Sequence, residues 1–404
     1  MLDAAVDLGG SGARGIAFTP RGYPGPRSGG PVVFGDHPVP GPASFAAGRR
    51  LLEHVRQLRD EDVVLFLLSG GGSATVEVPA PPVRPADLAR TTELLLACGA
   101  PIGAMNAVRR HLSLLKGGQL AAPLGADRFA TVAISDVADD APEEIASGPT
   151  VADPTTFRDA LQVLRRHPLG APLPRRALER LRAGARGEVG ETPKPGDPRL
   201  TPVRFVLGAS NRRAVRAAAR EAARRHYRVR LVPEPMVGET QPVARRFARA
   251  LLSASSGVLP PTRVALLAGG ETTVTLGPRP GKGGRNGEFA VASARLLHGR
   301  EALVLSAGTD GVDGPTDSAG GWVDGASWGR ATRLGLDLPG ALASHATYEV
   351  LERLGSLLRT GPTGTNVTDV HVGLAVGAGV GRVSRGTGGS SRRRAARTSR
   401  RRRS

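Results

Sequence analysis

Three short apolar runs in this chain each empty into a loop of glycine with hydroxyls or carboxylates, and that pattern restricts the folds open to it. Residues 63–68 lead into Ser69, Gly70, Gly71, Gly72 and Ser73. Residues 129–135 lead into Asp136 and further acids, and residues 302–305 into a loop carrying Asp310, Asp313 and Asp317 among Gly308, Gly311 and Gly314. Runs this short and this apolar suit strands buried on both faces. Open α/β sheets bind ligands beyond the carboxyl ends of such strands. Glycine there lets the backbone take positive φ and approach a ligand closely.

The rest of the chain keeps the same rhythm. Helices are expected at 43–56, 85–98 and 212–226, and strands at 203–207, 227–232, 264–267, 273–276 and 370–374. Alternating strands and helices predict an α/β fold with a mostly parallel sheet and helices on both faces. Residues 166–200, rich in Arg, Pro and Gly, read as a surface excursion with one short helix. The length of 404 residues suits two or three domains.

Composition narrows the setting. No apolar run reaches the ~18 residues a membrane span needs, and no secretory pattern opens the chain. Cys98 is the single cysteine, so no intrachain disulfide can form, which fits a reducing cytoplasm. The formal charge is +19, but ten arginines and no acid lie between 382 and 403, leaving +9 for the rest. That Arg-rich end reads as a disordered tail able to touch nucleic acid non-specifically. The body has no basic platform interleaved with aromatics for stacking bases.

Several residues carry candidate chemistry. The 69–73 loop is an anion cradle, although it has neither the P-loop spacing nor the dinucleotide fingerprint. Only three basic residues are lysine: Lys116, Lys194 and Lys282. Lys116 follows a helix whose apolar face is Val108, Leu112 and Leu115, and Gly117 with Gly118 is expected to aim it outward. Arg110 reads as part of a solvated basic face and His111 as a structural hydrogen-bonder. The three carboxylates of the 310–317 loop suit a hard cation, with Asp136 as a second candidate position. The loop 281–288 adds Lys282 and Arg285 among glycines. Taken singly, each loop also reads as a tight turn with solvated charges. An acidic and a basic glycine loop together suit a phosphorylated ligand with its metal.

Several long stretches in order resemble the class II glycerate 2-kinases, whose C-terminal part is called the MOFRL domain. They are LLSGGGSA (67–74), MNAVRRHLSLLKGGQLA (105–121), ISDVADDAPEEIASGPTVADPTT (134–156), LAGGETTVTL (267–276), GKGGRNGEFAVA (281–292), LSAGTDGVDGPTDSAG (305–320) and TGPTGTNVTDV (360–370). The resemblance implies a Rossmann-like N-terminal domain over 1–235, a smaller MOFRL domain over 260–376 with the active site in the cleft between them, and the tail at 377–404. It implies ATP-dependent phosphorylation of D-glycerate at the 2-hydroxyl with Mg²⁺, and a possible homodimer. Ser69, Gly70, Gly71, Gly72, Ser73, Lys116, Gly117 and Gly118 would hold the nucleotide. Arg285, Asn286, Glu288 and Thr309 would hold the small acid. Asp136 and Asp310 would carry the metal, and Lys116, Arg285 and Asp310 would act in catalysis.

The chain departs from the family pattern in places. Members carry a glycine–lysine motif near the N-terminus, whereas here no lysine precedes Lys116. Either the true start lies upstream or the product is catalytically impaired. Gly287 stands where the family has glutamine, and the segment 345–348 reads HATY where NxSY is usual, so a polar contact there is expected to be lost. Some members carry the name hydroxypyruvate reductase, a reaction that needs a nicotinamide site.

Overall fold

The computed structural model describes residues 1–21, 30–137, 139–202 and 204–377. The arginine run between 382 and 403 lies outside the described residues.

The first half begins with α1 (Leu2–Gly9), β1 (Ala17–Pro20) and β2 (Val32–Gly35), the two strands pairing in parallel. Then come α2 (Pro42–Arg56), β3 (Val64–Leu68), the four-residue α3 (Gly72–Thr75), α4 (Pro85–Ala97), α5 (Ile102–Leu112), β4 (Phe129–Ile134), α6 (Phe157–Arg166), α7 (Arg175–Ala185) and β5 (Phe205–Ala209). Strands β3, β4 and β5 form a parallel sheet in that order. Proline opens α2 and α4, where a missing N–H costs nothing. Leu51, Leu52 and Val55 of α2 pack on a core that includes Phe66 and Phe129. A second core joins Leu88, Leu95, Val108, Leu112, Phe157 and Leu181 from α4 to α7. The stretch expected to be a surface excursion therefore contains α7, whose Ala177 and Leu181 are fully buried. The density of arginine hid an apolar stripe spaced at one helical turn.

The second half comprises α8 (Asn211–Arg224), β6 (Tyr227–Leu231), β7 (Met236–Glu239), α9 (Thr240–Ser256), β8 (Arg263–Thr273), α10 (Arg285–Leu297), β9 (Ala302–Gly308), β10 (Gly320–Asp324), α11 (Ser327–Arg333), α12 (Leu338–Ala343), α13 (Thr347–Arg353), β11 (Leu357–Leu358) and β12 (Asp369–Val376). Among the described residues its sheet runs β11-β10-β9-β12-β8-β6, with β7 also on β8. The sheet of this half is mixed. Only β6 and β7 run parallel to β8, while β12 inserts antiparallel between β8 and β9. Helix α9 is a crossover between the parallel neighbours β7 and β8, whereas α10 leads into β9, which pairs antiparallel with β10 and β12, so alternation of elements dictated strand direction only in part. The two strands expected at 264–267 and 273–276 are one continuous β8 up to Thr273.

Because β6 and β7 hydrogen-bond to β8, the second sheet starts at Tyr227, ahead of the boundary expected at 235. The core of this half gathers Phe247, Leu251, Leu266, Phe289, Val291 and Val304 between α9, α10 and the sheet. Asn211, the first residue of α8, donates to the Val367 and Asp369 carbonyls and to Thr368 Oγ1, at 2.8–2.9 Å. That clamp fixes the loop entering β12 where the chain leaves the first sheet. Among the described residues no helix is long and apolar enough to cross a membrane.

Candidate active site

The loop after β3 supplies one wall. Gly71 takes a left-handed conformation (φ 80°) and turns the chain into α3. Asp136, beyond the end of β4, presses against this turn: a Cβ on Gly70 would lie 1.9 Å from its Oδ2. Only glycine permits that approach. Burial raises the Asp136 pKa, and the field of His37 partly offsets this. Ser73 Oγ lies 2.6 Å from Ser147 Oγ, which donates to Asn106 Oδ1 at 2.7 Å. Ala146, Ser147 and Gly148 are all left-handed, with φ of 51°, 60° and 64°. Backbone held this way marks a place where the surrounding structure over-determines conformation.

Beneath the loop lies a buried cluster. Lys116 is 1% exposed and donates from Nζ to Glu77 Oε2 at 2.5 Å, so it does not point outward as expected. Gly117 and Gly118, both at positive φ, donate to the Ser147 and Gly148 carbonyls and turn the chain inward. Burial pushes the Lys116 pKa down to about 8, against the field of Glu77. Glu77 also accepts from Ser113 Oγ and the Val78 amide. Arg109 donates from Nη2 to the Ser73 carbonyl at 2.5 Å. Arg110, read from sequence as solvated, is wholly buried between Glu144 and Asp153. His111 is a structural hydrogen-bonder, contacting the Ala107 carbonyl and Glu191. Lys194 ties Thr192, Glu191 and the Thr155 carbonyl together.

The second wall centres on Arg285, the first residue of α10. Its Nε and Nη2 donate to Asp369 at 2.6 and 3.0 Å, a bidentate grip, and Nη1 lies 2.9 Å from Glu271. Burial opposes its charge, but Asp369 and then Glu271 override this and raise its pKa. Asn286 donates to Asp369 and accepts from Ser306 Oγ, which also contacts the buried His371. Asp313 accepts from the Asn286 and Gly287 amides and so caps α10. Burial lifts its pKa to about 6, against those two hydrogen bonds.

The three carboxylates of the 310–317 loop do not converge on one ion. Asp313 is spent on the helix, and Asp317 is exposed and bonded to Tyr348 and Arg359. Asp310 accepts from the Val312 amide through Oδ1. Lys282 lies over the Tyr348 ring at 3.8 Å. Glu288 is buried, bonded to Gln241 and to His345, so the polar contact expected to be lost at 345–348 is made by histidine. Thr309 uses its hydroxyl to bind the Thr368 carbonyl and to accept from the Val367 amide.

Glu271 joins the two walls. Its pKa is raised by burial first, opposed by Arg285, then raised further by Asp369, Asp136 and Asp310. Asp136 belongs to the first sheet and Asp310 to the second, so their fields overlap at this one carboxylate. Of the residues singled out from sequence, Arg285, Asp310 and Asp136 act on Glu271, and Asp136 packs on the 69–73 loop. Glu77, Glu271 and Asp369 were not singled out. The last two were visible as acids within the GGETT and NVTDV stretches.

Comparisons with known proteins come last. Residues 1–182 match a family described as a domain of unknown function, DUF4147, and residues 264–369 match the MOFRL family. A glycerate 2-kinase of Pyrococcus horikoshii is 39% identical, over 89% of this chain and 81% of its own. A D-glycerate 2-kinase of Thermotoga maritima is 36% identical, over 93% and 88%. An Agrobacterium vitis protein that bears a hydroxypyruvate reductase name is 39% identical, over 92% and 82%. The solved glycerate kinase of Thermotoga maritima superposes with a TM-score of 0.78 at 35% identity, over 90% of this chain and 85% of that one.

Proposed function

This chain belongs to the glycerate 2-kinase family, and on that footing we propose how its cleft works. The protein is a kinase that transfers phosphate from ATP to D-glycerate, giving 2-phosphoglycerate. The observation that carries the site reading is the overlap at Glu271 of a guanidinium, Arg285, with carboxylates from both sheets.

Phosphoryl transfer asks a protein to position two substrates and neutralise spreading charge. The 69–73 loop would take the nucleotide phosphates. Arg285 would grip the carboxylate of glycerate, its planar fork already fixed by Asp369. Asn286 would steady that fork through Asp369. Thr309 would shape the floor of the small-acid site. Asp310 would accept the proton of the 2-hydroxyl.

Mg²⁺ fits the cleft in one respect: Asp136 is half-buried against Gly70, with no ion pair among the described residues. Among the described residues no group of three His, Cys, Asp or Glu side chains is placed to hold a metal by itself. That suits Mg²⁺, which commonly takes one or two carboxylates plus substrate phosphates. Such an ion would neutralise charge on the transferring group, with Asp136 and Asp310 as its protein ligands. A single free cysteine supports a cytoplasmic setting.

Incubation with ATP, Mg²⁺ and D-glycerate should yield 2-phosphoglycerate, read by coupling to its dehydration. Arg285→Lys should lower kcat by about 10²–10³-fold, since a lysine cannot make the bidentate contact. Oxidation of NADH by hydroxypyruvate, with no phosphate transfer, would overturn the reading. The 69–73 loop lacks the G-x-G-x-x-G spacing of a dinucleotide site, which speaks against that reductase outcome.

A further inference from the structure

Arg109 and Arg110 are neighbours on α5, both buried, and their surroundings differ. Arg110 is matched by two carboxylates, Glu144 and Asp153, and by the Glu143 carbonyl. Arg109 is 6% exposed and forms no ion pair among the described residues. Among the described residues its one hydrogen bond is to the carbonyl of Ser73, and its Nε is buried without a partner. The one acid near it, Glu77, has its oxygens committed to Lys116, Ser113 and the Val78 amide. Lys116, Arg109 and Glu77 together thus leave one positive charge unmatched in a dry place beneath the glycine loop. A buried guanidinium without a counter-charge is costly unless an anion completes it.

We propose that Arg109 is a phosphate-binding residue: its guanidinium, held under Ser73, takes an oxygen of the nucleotide's phosphate chain as that chain crosses the 69–73 loop. The contact with the Ser73 carbonyl fixes the guanidinium beneath the loop. Lys116 stays with Glu77, so the role the sequence suggested for that lysine passes to the arginine seven residues earlier. This rests on the kinase reading for the identity of the ligand and goes beyond it in naming the residue. A phosphate is favoured over the glycerate carboxylate because Arg109 lies under the 69–73 loop, on the wall opposite Arg285.

The test is ligand binding by calorimetry and thermal shift on the wild type, Arg109→Met and Arg109→Lys. ADP with Mg²⁺, adenosine and D-glycerate serve as separate probes. Arg109→Met should weaken ADP binding about 10–30-fold, in the range of one lost charge-assisted contact, and leave adenosine and glycerate unchanged. Arg109→Lys should fall between, keeping the charge without the fork. Without ligand, Arg109→Met should melt no lower than the wild type, because it removes an unmatched charge. Equal ADP affinity in wild type and Arg109→Lys as well as Arg109→Met would overturn the inference, as would selective loss of glycerate binding. If Arg109→Met does not fold, the lysine variant decides alone. Arg109-dependent ADP binding in a protein that does not phosphorylate glycerate would sink the kinase reading and leave this one standing. Turnover of glycerate with Arg109-independent ADP binding would do the reverse.

Discussion

The two walls of the cleft solve the burial of charge in opposite ways. On the second wall, one guanidinium, Arg285, is surrounded by carboxylates: Asp369 grips it, Glu271 caps it, and Asp313 holds the helix it starts. On the first, Lys116 and Arg109 share one carboxylate, Glu77. A folded chain matches its buried charges wherever it must carry them alone. Where the match is left open, a ligand is the natural completion. Beneath the glycine loop a guanidinium is short of a counter-charge, while the second wall carries spare negative charge, the arrangement a metal-bearing phosphate would bridge.

The largest effect expected of this comparison is at Lys116→Met. It would take from the fully buried Glu77 the ammonium that hydrogen-bonds it, the field of Arg109 offsetting part of the loss, at a cost of about 3–5 kcal/mol in urea unfolding. Adding Glu77→Gln should recover most of that, because a neutral amide still accepts from Ser113 and the Val78 amide. The wild type should also gain stability as pH rises from about 8 towards 10.5. The folded lysine gives up its proton first, so the unfolded state binds more protons across that window and the slope is positive. Lys116→Met should lack that rise; if it keeps it, the lysine is not the strained partner described here.

Next comes Asp369→Ala on the other wall. Asp369 is buried, but the Arg285 side chain is 33% exposed and water can partly replace the lost partner. The cost should sit near the lower end of the same range, about 3 kcal/mol. Turnover should fall with it, because the guanidinium loses its fixed fork. A loss of stability equal to that of Lys116→Met would erase the difference between the walls.

Much of this was legible in the chain, for reasons particular to each element. Strands β3 and β9 were readable because they are apolar and run into glycine, which marks both a strand and the turn that stops it, and β4 because its apolar run stops at carboxylates. Arg285, Asp310 and Asp136 drew attention because they are charges beside those turns. The direction of β12 was not readable, since its pairing with β8 joins residues about a hundred or more apart in sequence. Nor was the inward turn of Lys116. Two glycines at positive φ decide it, and glycine alone does not say which way it will bend. The split of the three loop carboxylates needed α10 and Arg359 in place before it could be seen.

The smallest effect tests whether the first wall also stores its precision in backbone. Ala146 has φ 51°, a conformation costing an L-residue about 1–2 kcal/mol. Ala146→Gly removes that cost but frees the unfolded chain, so the net gain should be only about 0.5 kcal/mol. Gly72 faces it: a Cβ built there would lie 3.0 Å from the Cβ of Ala146. Gly72→Ala should therefore hurt nucleotide binding in the wild type and hurt it less when Ala146 is already glycine. A double-mutant cycle on ADP affinity reads this coupling directly. Purely additive effects would mean that the loop and the left-handed turn below it are independent. The contacts that run from Ser73 through Ser147 to Asn106 would then be incidental to the shape of the phosphate wall.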